Sequence, residues 1–165
     1  MADAHERKKL IDQAHGLLLD EVKDTVKQFS ALGTPQISDD YESIHQRLLY
    51  ITALEADLGH LYRQSLEILN EVVNSKDDSE EILEDSKMTQ SQKPSFKNPT
   101  AYMSRPEYEL KLRSLTIEEV HGFKTWKTLV NNSYYIRDII SSYQKDADRE
   151  RRVVDTRLKI LGTYY

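Results

Sequence analysis

The chain has 165 residues, no cysteine, five glycines and a formal net charge of −5. That length suits one ordinary domain; the missing thiols exclude disulfides, thiolate metal sites and a cysteine nucleophile, so nothing demands an oxidising compartment. Met1 to Lys9 is charged where a secretory leader would need apolar residues, and no window approaches the roughly 18 apolar residues of a membrane span. A cytoplasmic or nuclear protein with no membrane insertion is therefore expected.

The first predicted helix begins near Asp3, where Asp3 and Glu6 have the spacing of a capping box: one side chain accepts from free backbone donors while the other reaches back. Ile11, Ala14, Leu18, Val22, Val26 and Phe29 form its main apolar stripe, with Leu10, Leu17 and Leu19 widening it, which implies burial against more than one neighbour. Gly33, Thr34 and Pro35 break the helix after about Leu32, since proline cannot continue the hydrogen-bond ladder. The turn is short enough for a helical hairpin.

The stretch from Ser38 to Asn74 reads as one uninterrupted helix, with Ser38 as its cap and Asp39, Asp40 and Glu42 at the positive end of its dipole. Tyr41, Ile44, Leu48, Ile51, Leu54, Leu58, Leu61, Tyr62, Leu66, Leu69 and Val72 recur three or four apart, the period of one helix face. At roughly 1.5 Å per residue it would run about 55 Å. So much apolar surface needs covering by other helices.

Beyond Asn74 the composition changes. Six acids fall between Asp77 and Asp85, followed by a Ser/Gln/Lys/Pro-rich run to Pro99, the composition of a flexible linker over 75–103. Its Ser75, Ser79, Ser86, Thr89 and Ser91 suggest a tether open to phosphorylation. Ser104 and Glu107, with Pro106 in the first turn, then predict a short helix, and Thr116 and Glu119 repeat the signal before a last long helix starting at Ile117. Val120, Phe123, Trp126, Leu129, Val130, Ile136, Ile139, Ile140, Tyr143, Ala147, Val154, Leu158 and Leu161 keep helical spacing until Gly162. Asn131, Asn132 and Ser133 mark a possible kink, and the β-formers of Thr125 to Ile136 leave a short strand open. From Lys145 onward the apolar stripe is narrow, the pattern of a two-helix seam, so this end is expected to project as a coiled-coil-like extension.

Charge divides the chain. Residues 1–87 carry 9 basic against 19 acidic side chains, a balance of −10, and residues 88–165 carry 14 against 9, a balance of +5. The C-terminal helices are thus expected to fold back on the N-terminal hairpin with complementary rims. A nucleic-acid-binding face would need a cleaner stripe: Lys145, Arg149, Arg151, Arg152, Arg157 and Lys159 are interleaved with Asp146, Asp148, Glu150 and Asp155, as on a solvated helix face.

Catalytic motifs are missing: there is no phosphate-cradling glycine loop, nucleophile elbow, HExxH or dinucleotide fingerprint. One pattern bears on metal chemistry. Asp12/His15, Glu42/His45, Asp57/His60 and Glu118/His121 each place a carboxylate three residues before a histidine, as in helical bundles that hold two iron or manganese ions. Helix geometry argues against it, because at 100° per residue Glu42 lies roughly 160° from the buried Ile44. Such pairs are routine on a helix surface in a chain that is 31% charged. Ten tyrosines against three phenylalanines are the other oddity, and tyrosine with tryptophan supplies large contact area with a polar handle.

These readings converge on an all-α protein: an antiparallel bundle of three long helices plus one short, divided into an N-terminal hairpin (1–74), the linker (75–103) and C-terminal helices packing on the hairpin (104–165), one domain overall. The expected function is non-catalytic, a helical subunit or adaptor of a larger intracellular complex, with no cofactor and with other helical proteins as partners. The expected contact residues are Trp126, Tyr134, Tyr135, Ile139 and Tyr143, together with the Val154, Leu158 and Leu161 seam. The competing readings are a di-iron or manganese helical-bundle enzyme and a nucleic-acid-binding subunit using the basic C-terminal helix.

Overall fold

The computed structural model describes residues 3–31, 40–92, 106–107, 110 and 117–164. The described residues are helical throughout apart from the caps and contain no strand. Helix α1 spans Ala4–Ser30, α2 spans Tyr41–Gln92 and α3 spans Ile117–Tyr164. None is long and apolar enough to cross a membrane.

Helix α1 starts as its sequence dictates. Asp3 is the N-cap, its Oδ1 accepting from the Glu6 backbone N–H at 2.8 Å, and this satisfies one of the amide donors that the first turn leaves without a partner. Helix α2 departs from expectation at both ends. Its cap is Asp40 rather than Ser38: Asp40 Oδ1 accepts from the Ser43 N–H at 2.8 Å and the Asp40 carbonyl from the Ile44 N–H. Ser38 itself lies outside the described residues.

The far end of α2 corrects a larger expectation. The helix does not stop at Asn74 for a linker but continues to Gln92, through the whole acidic run. A buried stripe explains this. Leu69, Val72, Ser75 and Leu83 are all enclosed, so the helix keeps an inward face even where serine occupies an inner position. The remainder of the expected linker, 93–103, is outside the described residues. So is most of the predicted short helix, of which Pro106, Glu107 and Leu110 are described and helical.

Helix α3 continues through Asn131, Asn132 and Ser133, so the short strand does not form. The threonine hydroxyls there bond back to the helix: Thr125 donates to the Gly122 carbonyl at 2.9 Å and Thr128 to the Lys124 carbonyl at 3.1 Å. Meanwhile Trp126, Leu129, Val130, Ser133, Ile136 and Ile140 fall at helical spacing and are all buried. Burial of that face outweighs the modest helix propensity of its residues.

The chain forms two compact units, one of residues 1–68 with 133–165 and the other of 69–132. In the first unit, three successive core levels join all three helices. Leu18 and Val22 meet Leu61, Ile136 and Ile140. Leu54, Leu58 and Ala147 follow, with Val26, Phe29 and Tyr143 against them. Ile44, Ile51 and Val154 then pack with Phe29, Leu48, Leu158 and Leu161. The last level bears directly on the C-terminal seam. Val154, Leu158 and Leu161 do not project alone; they are packed on Ile44, Leu48 and Ile51 of α2 and on Phe29 of α1. In the second unit, Leu69, Val72 and Leu83 are buried on α2 and Trp126, Leu129 and Val130 on α3.

Candidate functional site

The eight residues expected to meet a partner fall into different environments. Trp126 is buried within the second unit. Ile139 and Tyr143 are half-buried against the Leu18, Leu61 and Ile140 level, and Tyr143 also reaches Leu54, Leu58 and Ala147. Val154 is fully enclosed, with Leu158 and Leu161 half-buried beside it. Tyr134 and Tyr135 alone of the eight are exposed, at 41% and 64%; the Arg137 guanidinium sits 4.8 Å over the Tyr134 ring while bonding Asp138.

Periodicity explains the split. Ile136 and Ile140 define the inward face of α3, and at 100° per residue Tyr143 falls within about 60° of Ile140 whereas Tyr134 lies about 160° from Ile136. Identical side chains thus serve as core border and as surface.

Further apolar residues are exposed, among them the two leucines whose widening of the α1 stripe implies burial. Leu10 and Leu17 on α1 are 59% and 66% exposed, one heptad apart; Val153 and Ile160 on α3 are 52% and 55% exposed at the same spacing. The signal was present in the sequence as a seven-residue repeat, but a broad stripe merges an inward and an outward row until the buried row is known. On α2, Leu49 and Tyr50 are likewise exposed.

Between α1 and α3 lies a cleft of about 400 Å³ with Leu54 and Leu58 of α2 among its walls. Val26, Phe29 and Tyr143 supply apolar sides, and Asp146, Arg149 and Glu150 form a charged lip. The cleft opens where α3 offers the small Ala147 between Ile140 and Val154. Arg149 is turned to Asp146 at 3.2 Å.

The histidines sit in different environments. His45 is exposed and stacks on Tyr41, with ring centroids 6.2 Å apart; His60 is exposed and bonds Gln64 at 3.1 Å; His121 is exposed. His15 is buried, at 5% exposure, and its Nε2 shares a hydrogen bond of 2.7 Å with Ser133 Oγ, itself 2% exposed. Burial holds the His15 imidazole below its ordinary value, and the Asp12 carboxylate opposes that shift. Among the described residues no three His, Asp or Glu side chains are grouped to hold a metal ion.

An ion pair joins the acidic and basic parts of the sequence within the first unit: Arg151 Nη1 donates to Glu55 Oε2 at 2.6 Å. Arg152 with Asp148, at 2.9 Å, is instead an exposed pair along α3. Comparison of the chain with protein-family models, with curated proteins and with solved structures gives no match in any of the three.

Proposed function

We propose that this chain is a non-catalytic helical interaction protein, a small subunit or adaptor of an intracellular assembly, cytoplasmic or nuclear, that binds partner helices through apolar faces. The observation that carries this reading is the heptad pair on each of two helices, Leu10 with Leu17 and Val153 with Ile160, each residue more than half exposed. A seven-residue apolar repeat on a helix surface is the geometry by which a second helix docks along it. Each such side chain contributes roughly 25 cal/mol per Å² of apolar area removed from water.

In this reading the first unit is a three-helix scaffold with α2 antiparallel to α1 and α3. Supporting it, residues of α1 and α3 rise together from Leu18 and Ile136 to Phe29 and Val154 while those of α2 fall from Leu61 to Ile44. Ile44, Leu48 and Ile51 against Val154, Leu158 and Leu161 repeat the four-three spacing of a coiled coil on both sides. The scaffold covers its own seam and leaves Leu10, Leu17, Tyr135, Val153 and Ile160 for partners.

Site-specific photocrosslinking in the full chain tests this. A photoreactive residue at Leu17 or Ile160 is expected to trap a discrete partner in cells, whereas one at the exposed Asp20 is not. Uniform labelling from all three positions, or none from any, would overturn the reading.

A further inference from the structure

The first unit encloses polar side chains that the core levels do not require. His15 of α1 and Ser133 of α3 are enclosed and joined by a 2.7 Å hydrogen bond. Ser65 of α2, one turn along from Leu61, is buried as well, its hydroxyl donating to the Tyr62 carbonyl at 2.6 Å. His15 Nδ1 is enclosed with no hydrogen-bond partner. A neutral imidazole tolerates this, because one tautomer leaves only a lone pair unmatched. A protonated one does not, since both ring nitrogens become donors and Nδ1–H is then a charged donor buried without an acceptor.

We infer that His15, enclosed between α1 and α3 against Ser133, is an acid-sensitive latch: a proton on its imidazole loosens α1 from α3 in the first unit and uncovers the apolar face that Leu18 and Val22 bury. The surroundings offer little to offset the charge. On α1, Asp12 lies one turn back and exposed, and Lys8 two turns back and half-buried. On α3, Arg137 is one turn on from Ser133 and engaged with Asp138 at 3.0 Å. On α2, Arg63 and Glu67 flank Ser65 from exposed positions. Of these, Asp12 is the group that favours the charged imidazole, and burial outweighs it.

The sign follows from linkage. The folded imidazole is held below the ordinary value of 6.5 while the unfolded chain keeps that value, so the unfolded chain takes up more protons on acidification. Stability is therefore fully present above about pH 6.5 and is lost as pH falls below it.

The test follows the His15 ring protons by NMR in the full chain, alongside amide exchange protection across α1 at about pH 7.5 and pH 5.5, corrected for intrinsic exchange. The expected result is a His15 titration below the ordinary imidazole value and a several-fold loss of α1 protection in acid. His15→Gln, which can donate to Ser133 and does not titrate, is expected to abolish most of that loss. Ser133→Ala removes the acceptor of the other ring nitrogen, so a protonated His15 would leave two donors unmatched; the acid loss is expected to be at least as large as in the parent chain, and a smaller one overturns the latch. A His15 titration at or above the ordinary value overturns the latch even if neither variant folds, and so does an equal loss of protection in His15→Gln.

Discussion

Arg151 of α3 and Glu55 of α2, 96 positions apart in sequence, meet at 2.6 Å in the first unit. The pair differs from the ladder of i,i+3 and i,i+4 pairs on α3 because Glu55 is largely enclosed and its Oε1 has no partner of its own. Arg151 is therefore the neighbour that makes an otherwise costly carboxylate acceptable. Arg151→Ala is expected to lower stability by about 1 kcal/mol, a value reduced by the partial exposure of the arginine, and Glu55→Gln to restore part of that loss in the double variant. Arg149→Ala, which breaks an exposed pair, is expected to change stability by less than about 0.5 kcal/mol. Urea unfolding midpoints of the three variants against the parent chain check both statements.

Leucines separate the scaffold from the face proposed for docking. Leu58 is fully enclosed between Leu54 and Ala147, so Leu58→Ala removes buried methyl groups and leaves a void. The expected cost is about 2–5 kcal/mol. Leu17, two-thirds exposed, has no such neighbours to lose, and Leu17→Ala is expected to leave stability within about 0.5 kcal/mol while weakening partner capture. Chemical unfolding gives the first comparison and affinity capture of the photocrosslinked partner the second.

How far these assignments could be read from sequence depends on which physical term dominates at each place. Ile44, Ile51, Leu58 and Val154 sit where the three- and four-residue spacing puts them, because burial of large aliphatic groups sets the inward face. Asp3 was legible because a single good cap precedes α1, whereas Ser38, Asp39 and Asp40 are all cap formers and only geometry chooses Asp40. The continuation of α2 was hidden by chemistry: charge and serine between Asp77 and Gln92 mimic a solvated linker, yet Ser75 and Leu83 keep the inward stripe. The exposed rows were hidden by their neighbours. Leu17 and Leu18 are adjacent leucines, one outside and one in the core, and composition alone does not separate them.

The serines expected to be open to phosphorylation are therefore unequal. Ser75 is enclosed, Ser79 and Ser86 are half-buried, and Thr89 is exposed. A phosphate at Ser75 would place roughly two negative charges where there is no room for their hydration. Ser75→Asp is expected to destabilise the second unit by at least about 2 kcal/mol, whereas Thr89→Asp is expected to be silent. Exchange protection across 69–86 reads the difference; equal protection in both variants would show that the acidic stretch does not need its inward face.

The cap of α2 gives the last prediction, an acid dependence of opposite origin to that of His15. The Ser43 hydroxyl and backbone N–H both donate to the Asp40 carboxylate and hold it below its ordinary value of 3.8. A folded value below the unfolded one means that the stabilisation is fully present above about pH 4 and is lost as pH falls through the folded value. Asp40→Asn keeps an oxygen that can accept from Ser43 but removes the titration, and Asp40→Ala removes the cap at every pH. Thermal midpoints recorded from about pH 6 down to pH 3 are expected to show Asp40→Asn losing its deficit relative to the parent chain as acid protonates Asp40, while the deficit of Asp40→Ala persists throughout. A constant gap between the parent and Asp40→Asn across that range would mean that the cap acts through its oxygen alone and that its charge, at the positive end of the α2 dipole, adds nothing.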